Sequence, residues 1–433
     1  MELYSIFRKN PTICTDSRDC KPHSIFFALK GENFDANAFA LSALENGCAY
    51  AVVDNKDYAI DERFIVVGDV LETLQNLARH HRQKLGTKII GITGTNGKTT
   101  TKELIASVMT RKFNTLYTQG NLNNHIGVPL TLLRLTEKHE IAIVEMGANH
   151  PGEIKFLSEI ALPDYGIITN VGKAHLEGFG SFEGVMETKA ELYDFILKQS
   201  GRIFLNTGNR YLNKMVEKSG FTDKRQILTY QLNCEKENKI AVGTVTANNP
   251  LLEMSCTTSE GGFNLKTNLI GEYNAENILA AVAIGSYFGI ANEQIKQGLE
   301  KYQPSNNRSQ FVQTKTNKLI VDAYNANPTS MMVALRNFTQ INYEKKTVIV
   351  GDMLELGEQA AEEHQTIVDI MSETGISDIY LVGRQFSQTK HNGIAFADIE
   401  AFKIYLQNNP LENRFILIKG SHGIHLEKII EDL

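Results

Sequence analysis

The amino-acid sequence predicts an α/β protein built from three domains. At 433 residues the chain is longer than one hydrophobic core usually organises. Short β-rich runs alternate with helical patterns along its length, which is typical of α/β folds. At 91–102 a glycine-rich turn joins a short apolar run directly to a helical pattern, as expected of a parallel sheet whose loops gather at one edge.

Residues 1–86 are predicted to form the first domain. The runs SIFFAL, YAVVD and FIVVG have the composition of strands. The stretch LETLQNLARHHRQKLG that follows has apolar residues at helical spacing. This segment is therefore predicted to be a small α/β unit without a catalytic motif of its own.

Residues 87–305 are predicted to form a central domain around a parallel sheet. Ile89–Ile92 is a short buried-strand pattern, and the helix TTTKELIASVMTRKF follows the glycine-rich turn. AIVEMG and YGIITNVG repeat the pattern of a strand followed by glycine. At 225–270, short alternating strands with Asn-Asn-Pro and Gly-Gly turns predict a small antiparallel sheet, and the helix ENILAAVAIGSYFG closes the domain.

Residues 306–433 are predicted to form a Rossmann-like α/β domain. Its strands are TVIVGD, DIYLVG and RFILIKG, with helical patterns between them. The polar stretch Pro304–Ser309 lies just before and across the start of this domain, and we expect it to act as a short hinge.

Composition and charge exclude several classes of protein. The net charge of −6 provides no basic surface for DNA or RNA, so no nucleic-acid partner is expected. No run reaches the ~20 apolar residues that span a bilayer, and the N-terminal MELYSIFRKN lacks the apolar run of a signal peptide. The five cysteines have no CxxC spacing: Cys14, Cys20, Cys48, Cys234 and Cys256. We therefore expect a cytoplasmic protein whose cysteines are free thiols.

The stretch GITGTNGKTTTK matches the GxxxxGK[ST] pattern of a phosphate-binding loop. Gly94 and Gly97 permit a tight turn that points backbone N–H groups at a phosphate. Lys98 is expected to contact the β- and γ-phosphates, and Thr99 to offer its hydroxyl to Mg²⁺. The loop therefore predicts ATP binding, although many classes of enzyme share it and it does not name the reaction.

Polar residues after two further strands predict a metal site. Glu145 ends the run IAIVE, where a P-loop enzyme holds Mg²⁺, although a solvated glutamate would fit the same position. Asn170 and His175 follow the next strand; an imidazole can join oxygen ligands, but a lone histidine is more often structural. Lys189 has apolar neighbours at helical spacing, and its sequence context alone predicts an exposed lysine on a helix face.

Seven segments then occur in one order along the chain: GTNGKTT, EMGANHPGEI, NVGKAHLEGFGS, TKAE, GEYNAENILAA, DAYNANPTSM and GDMLELGE. Together they resemble the Mur ligases, ATP-dependent enzymes that build the bacterial cell-wall precursor. The resemblance extends from Asp16-Ser17-Arg18 to Lys419-Gly420-Ser421, essentially the whole chain. DAYNANPTSM and EMGANHPGEI favour the branch that adds D-alanyl-D-alanine, and the DNPR signature of the branch that adds the third peptide residue is missing from the sequence.

The resemblance implies a mechanism through an acyl-phosphate. The terminal carboxylate of UDP-MurNAc-tripeptide attacks the γ-phosphate of ATP, and the amine of D-Ala-D-Ala then attacks the carbonyl while phosphate leaves. Two Mg²⁺ sites are implied, one at Thr99 and one held by Glu145, His175 and a carbamate on Lys189 (N6-carboxylysine). Lys98, Glu145, His175 and Lys189 are thus the implied catalytic residues.

The resemblance also implies the remaining binding residues. The residues implied at ATP are Gly94, Thr95, Asn96, Gly97, Lys98, Thr99, Thr100, Asn274, Asn277, Arg308 and Asp322. The residues implied at the substrates are Ser17 and Arg18 at the UDP end, Asn121, Asn123 and Asn124 at the muramoyl-peptide, and Tyr324, Asn325 and Asn327 at the dipeptide. The chain departs from the family pattern at Tyr273 and His422, where histidine and arginine are usual.

Two other hypotheses stay open. The chain could be a Mur-type ligase for a different amino acid or peptide, although the YNANP segment argues against this. It could also be a P-loop protein that binds ATP without catalysis, but such a protein has no need for two metal sites. A monomer is the default expectation, and the sequence does not distinguish diaminopimelate from lysine as the third peptide residue.

Overall fold

The computed structural model describes residues 2–220, 223–305 and 307–433. The first segment folds around a four-stranded parallel sheet of order β1-β2-β5-β6. Its elements are α1 Glu2–Lys9, β1 Ile13–Cys14, β2 Ile25–Phe27, β3 Lys30–Gly31, β4 Phe34–Asp35, α2 Ala40–Glu45, β5 Tyr50–Val53, β6 Phe64–Val66 and α3 Val70–Leu85. The Asp69 side chain accepts a hydrogen bond from the Glu72 N–H to cap α3, and Gly86 ends it in the left-handed conformation. The three predicted strands and the predicted helix are all present.

The central segment forms a nine-stranded sheet of order β15-β14-β13-β12-β11-β10-β7-β9-β8. Its strands are β7 Lys88–Thr93, β8 Thr115–Tyr117, β9 Ile141–Glu145, β10 Tyr165–Ile168, β11 Arg202–Asn206, β12 Ile227–Leu232, β13 Ala241–Asn248, β14 Leu251–Thr258 and β15 Gly261–Ile270. Its helices are α4 Lys98–Met109, α5 Gly127–Leu132, α6 Glu153–Ala161, α7 Leu176–Phe179, α8 Phe182–Lys198, α9 Arg210–Ser219, α10 Asn274–Tyr287 and α11 Asn292–Lys301.

The pairing of these strands changes along the sheet. Strands β7 to β13 pair in parallel, whereas β13, β14 and β15 pair antiparallel. The predicted antiparallel strands are thus confirmed, and they extend the edge of the parallel sheet. β7 and β9 are buried almost throughout because helices cover both faces. Helix α10 is apolar on nearly every side and packs against α4 within the core.

The third segment contains a six-stranded sheet of order β16-β17-β21-β18-β19-β20. Its elements are β16 Gln310–Gln313, β17 Lys318–Asp322, α12 Pro328–Gln340, β18 Lys346–Gly351, α13 Ala360–Glu373, β19 Asp378–Val382, α14 Arg384–Ser387, β20 Ile394–Phe396, α15 Ile399–Asn408 and β21 Phe415–Lys419. Only β16 is antiparallel to its neighbour, so the predicted α/β architecture is confirmed. The domain boundaries at 86/87 and 305/306 stay predictions.

The central and third domains contact each other in two different ways. Ile270 at the end of β15 is buried in the apolar core of the third domain with Ile320 and Phe338. Other contacts between these two domains are polar. Lys173 Nζ lies 2.8 Å from a carboxylate oxygen of Glu363, and two further hydrogen bonds join Lys173 N to Thr329 Oγ1 (3.1 Å) and Asn327 Nδ2 to Asn96 Oδ1 (2.8 Å).

The structure corrects one expectation about the cysteines. Cys14 and Cys20 form a disulfide, whereas all five cysteines were expected to be free. Spacing in the sequence does not reveal this pair, because the turn between β1 and β2 brings the two side chains together. Within the described chain the other three cysteines are free thiols. None of the described helices combines the length and apolarity needed to cross a membrane.

Candidate active site

A large cavity lies between the central domain and the third domain. Its volume is about 1250 Å³, larger than the ~300–1,000 Å³ of most small-molecule pockets. The loops after β7, β9 and β10 line it, together with the start of α10 and the ends of β17 and β21. Ligands of open α/β sheets bind outside the carboxyl ends of the strands, so this cavity is the candidate active site.

The loop after β7 has the backbone of a phosphate-binding turn. Gly94 and Gly97 have positive φ angles of 144° and 76°. A Cβ atom at Gly94 would lie 2.0 Å from Oγ1 of Thr169, so only glycine fits there. Helix α4 begins directly after the loop, at Lys98, and the positive end of its dipole favours an anion at this position.

Asn170 braces this loop from the neighbouring strand end. Its side-chain oxygen accepts a hydrogen bond from Asn96 N (3.0 Å), and its amide nitrogen donates to Asn96 O (3.1 Å). Its backbone oxygen also accepts from Thr95 N at 3.0 Å. Asn170 therefore restricts the backbone conformation of the phosphate loop.

Lys98 lies folded over its own loop. Its Nζ donates to the carbonyl oxygens of Gly94 (2.8 Å) and Thr95 (3.0 Å). Burial lowers the pKa of Lys98, and the nearby Glu145 opposes that shift. Phosphate oxygens are stronger acceptors for an ammonium than neutral carbonyls, so the lysine can exchange these bonds for a nucleotide phosphate.

Glu145 lies at the end of β9 and is 1% exposed. Its Oε1 accepts hydrogen bonds from Thr99 Oγ1 (3.2 Å) and Asn123 Nδ2 (2.8 Å). Its Oε2 is buried, and no described residue donates a hydrogen bond to it; the buried Lys102 Nζ lies 4.0 Å away. A buried carboxylate oxygen without a partner, beside a threonine hydroxyl, is a donor set that fits Mg²⁺. The interpretation of Glu145 as an ordinary solvated residue is wrong.

His175 lies in the loop after β10 and is held by the third domain. Its Nδ1 lies 2.5 Å from Oε2 of Glu355, in the loop after β18. His175 has φ of 50° and Glu355 has φ of 62°, both unusual for residues other than glycine. The pKa of Glu355 is lowered mainly by its hydrogen bond with His175. A histidine of the central domain and a carboxylate of the third domain thus meet at the cavity.

Lys189 on α8 is buried, with 2% of its surface exposed, so the prediction of an exposed lysine is wrong. Its Nζ donates to Ala148 O at 3.4 Å and lies 5.2 Å from the Phe179 ring centre. Burial, with a smaller contribution from the positive charge of Lys98, lowers the pKa of Lys189 to about 7. A lysine that loses its proton this readily can react with carbon dioxide, because only the neutral amine is a nucleophile.

The start of α10 is tied to the phosphate loop by amide side chains. Asn277 Oδ1 accepts from Thr101 Oγ1 (3.0 Å), and Asn277 Nδ2 donates to Asn274 Oδ1 (2.9 Å). Asn274 Nδ2 in turn donates to Ile270 O at 2.8 Å. These bonds fix the position of α10 relative to α4. Tyr273, where histidine is usual in the family pattern, shares a hydrogen bond with Ser309 Oγ at 2.7 Å.

Side chains of the third domain close the cavity from the other side. The Arg308 guanidinium carbon lies 3.7 Å from the ring centre of Tyr324, and His422 stacks on the same tyrosine at 5.7 Å. Asp322 Oδ2 accepts a hydrogen bond from Lys419 Nζ at 2.6 Å, and Lys419 also reaches Asn325 O at 3.2 Å. The ion pair of Asp322 with Lys419 joins the ends of β17 and β21 at the cavity.

Comparison with known proteins identifies the family. Residues 92–285 match the model described as Mur ligase middle domain, and residues 307–422 match the one described as Mur ligase, glutamate ligase domain. Proteins named UDP-N-acetylmuramoyl-tripeptide–D-alanyl-D-alanine ligase from Bacillus subtilis and Escherichia coli are each 34% identical to this chain. Both alignments cover 97% of this chain, with 92% and 93% of the respective relatives. The chain belongs to the Mur ligase family.

Solved structures of Mur ligases agree with this assignment. MurF from Acinetobacter baumannii superposes with a TM-score of 0.85 at 33% identity, covering 98% of this chain and 93% of that one. MurF ligase from Thermotoga maritima in complex with ADP gives a TM-score of 0.84 at 26% identity, covering 98% and 97%. The three-domain architecture of the Mur ligases is therefore also that of this chain.

Most residues predicted from the Mur ligase resemblance lie around the one cavity. Those that line it are Thr95, Asn96, Gly97, Lys98, Thr99, Thr100, Asn121, Asn123, Asn124, Glu145, His175, Asn274, Asn277, Arg308, Asp322, Tyr324 and Asn325. Those that do not line it are Ser17, Arg18, Gly94, Lys189 and Asn327. The individual roles of all these residues stay predictions.

The lining residues that were not predicted as site residues include the charged Glu276, Glu355 and Lys419. Glu276 lies in the first turn of α10, and burial raises the pKa of its carboxyl. Lys419 is the last residue of β21, and a charged residue at the end of an apolar strand is a signal that could have indicated it. Asp322 and Lys419 are direct neighbours in the parallel pairing of β17 with β21. No local pattern marks Glu355, because its partner His175 belongs to another domain.

Proposed function

We propose that this Mur ligase joins D-alanyl-D-alanine to UDP-N-acetylmuramoyl-tripeptide, using ATP and releasing ADP and phosphate. The observation that carries the proposal is that the phosphate loop, Glu145 and the first two residues of the YNANP segment, Tyr324 and Asn325, line one cavity. The relatives that bear this activity in their names match nearly the whole chain. We further propose that the enzyme acts as a cytoplasmic monomer in peptidoglycan precursor synthesis.

Phosphoryl transfer from ATP to the tripeptide carboxylate depends mainly on positioning and charge. The glycine loop and the start of α4 hold the phosphates, and Lys98 contacts the β/γ oxygens after leaving its own carbonyl partners. Thr99 and Glu145 would hold Mg²⁺, which neutralises charge on the phosphate oxygens when bound. Asn123 fixes Oε1 of Glu145, so the carboxylate cannot rotate away from this task.

A second Mg²⁺ would be held by Glu145, His175 and a carbamate on Lys189. The buried, easily deprotonated Lys189 supports this donor set, because a carbamate changes a cation into an oxygen ligand. The backbone oxygen that Lys189 contacts belongs to Ala148, a residue that lines the cavity. The Lys189 amine therefore lies next to a residue that lines the cavity.

The dipeptide is proposed to bind on the third domain, beside Tyr324 and Asn325. Its amine attacks the acyl-phosphate carbonyl, and phosphate leaves. Water would hydrolyse the acyl-phosphate, so the domains must enclose it. The polar contacts of Lys173 with Glu363 and of Asn327 with Asn96 support such an enclosed arrangement.

The test is phosphate release with ATP, Mg²⁺, UDP-MurNAc-tripeptide and D-Ala-D-Ala, omitting each component in turn. We expect release only with all four, together with UDP-MurNAc-pentapeptide detected by mass. Lys98→Met should lower turnover by at least ~100-fold, whereas the exposed Lys138→Met should match the wild type. Turnover that does not depend on D-Ala-D-Ala would indicate a different acceptor, and ATP binding without any turnover would refute catalysis.

A further inference from the structure

The first domain contains a short loop closed by a covalent bond. Cys14 ends β1, and its disulfide partner Cys20 lies six positions later. The five residues between them include Ser17 and Arg18, the residues predicted to meet the UDP end of the substrate. The disulfide therefore ties both ends of this loop to the edge of the first sheet.

A third thiol lies beside this pair. The Sγ atoms of Cys14, Cys20 and Cys48 all lie within 4.8 Å of one another. Cys48 is buried, and its Sγ lies 3.1 Å from Ser24 Oγ. The segment that carries Cys48 also holds the loop directly, because Asn46 Nδ2 donates to Ser17 O at 2.9 Å. Three sulfur atoms thus lie together at the ends of this loop and beside it.

The exposed face of the loop is formed by charged side chains. The Arg18 side chain is 87% exposed, and its guanidinium makes hydrogen bonds of 2.9 and 2.6 Å to the Asp16 carboxylate. Both residues lie within the ring that the disulfide closes. The conformations open to Arg18 in the free protein therefore depend on whether that ring is closed.

We propose that Cys14 and Cys20 are a thiol–disulfide modification site that controls binding of the nucleotide-sugar substrate by this loop. Oxidation by a low-molecular-weight disulfide removes two electrons and two protons from the two thiols. One sulfur–sulfur bond forms in the protein, while that of the oxidant breaks and yields two thiols. The proposal rests on the proposed function and on the role at the UDP end that the Mur ligase resemblance implies for Ser17 and Arg18.

The disulfide should favour binding because it orders the loop in advance. A short covalent ring has few conformations, so less freedom is lost when the substrate immobilises Ser17 and Arg18. We expect the oxidised enzyme to have a Kd and KM for UDP-MurNAc-tripeptide roughly 3- to 10-fold lower than the reduced enzyme. The turnover number and the KM for ATP should not change, because neither Ser17 nor Arg18 lines the cavity.

The experiment compares full-length protein treated with glutathione disulfide or with dithiothreitol, followed by removal of the reagent. Peptide mapping by mass spectrometry should find Cys14 joined to Cys20 in the oxidised sample only. Calorimetric titration with UDP-MurNAc-tripeptide then gives Kd for both samples without any need for turnover. The variant Cys20→Ser should have the higher Kd under both treatments, and the matched control Cys234→Ser should respond like the wild type.

Equal Kd values in the mapped oxidised and reduced samples would overturn the proposal. So would a map in which Cys48 replaces Cys14 or Cys20 as the bonded partner. Absence of ligation with a preserved difference in Kd would refute the proposed function alone. Ligation with all four components and no difference in Kd would refute the modification site alone.

Discussion

Lys189 provides the sharpest test of the chemistry proposed for this cavity. Burial of its ammonium, together with the nearby charge of Lys98, lowers the pKa of Lys189 from 10.5 to about 7. At pH 7.5 a lysine with a pKa of 7 is about three-quarters neutral, against roughly one molecule in a thousand for an ordinary lysine. The population able to attack carbon dioxide is therefore roughly 800-fold larger, equivalent to about 4 kcal/mol.

The reaction joins the neutral amine to carbon dioxide, forms a carbamate and releases one proton. We expect one slowly exchanging carbamate signal when the protein is incubated with ¹³C-bicarbonate and observed by ¹³C NMR at pH 7.5. The signal should fall as the pH drops below about 7, where Lys189 takes up its proton. The variant Lys189→Met should lack the signal, whereas the exposed Lys138→Met should keep it.

The lowered pKa of Lys189 also predicts how the free energy of unfolding changes with pH. The change has the opposite sign to the one expected for a lysine in an ion pair. In the unfolded chain Lys189 stays protonated up to pH 10.5, but in the folded chain it loses its proton near pH 7. The folded state is thus penalised below pH 7, and its stability rises by about 1.4 kcal/mol per pH unit between 7 and 10.5. Urea unfolding without carbon dioxide should show this extra slope in the wild type and not in Lys189→Met. Equal slopes, together with a carbamate signal that survives in Lys189→Met, would refute the reasoning.

Three further predictions follow from individual contacts. Asn123→Ala removes the shorter of the two hydrogen bonds to Oε1 of Glu145 and should raise the Mg²⁺ concentration for half-maximal phosphate release by roughly 10-fold; an unchanged Mg²⁺ titration would contradict this. Glu363→Gln weakens a partly exposed ion pair with Lys173 and should destabilise the closed arrangement of the two domains by no more than ~1 kcal/mol. Small-angle scattering with ATP bound should then show a larger radius of gyration. Lys419→Met leaves the carboxylate of Asp322 without its cation and should destabilise the third domain by about 3 kcal/mol in calorimetry. Adding Asp322→Asn should restore part of that loss, and a double variant as unstable as the single one would refute the pairing.

Features that depend on neighbours in the chain could be predicted from the sequence. The phosphate loop follows from the spacing of Gly91, Gly97 and Lys98 and from the apolar run before it, because these fix a turn between strand and helix. The position of Glu145 follows because the carboxyl ends of parallel strands meet at one edge. The fold class follows from the same periodic patterns.

Features that depend on distant parts of the chain could not be predicted. The burial of Lys189 is set by helices packed around α8, and its own neighbours predict an exposed side chain. The contact of His175 with Glu355 requires the docking of two domains, which no local pattern encodes. The disulfide of Cys14 with Cys20 depends on a turn geometry that spacing alone does not determine.

The two kinds of contact between the central and third domains should differ in how easily they are broken. Ile270 is embedded in the apolar core of the third domain, and withdrawing it would expose hydrocarbon to water. The polar bonds of Lys173 and Asn327 can be exchanged for bonds to water with little change in free energy. We therefore expect the polar bonds of Lys173 and Asn327 to break before the apolar contact of Ile270 when the two domains separate. A small molecule that keeps these two domains apart would compete with only a few polar bonds, one of which is made by Asn96 of the phosphate loop.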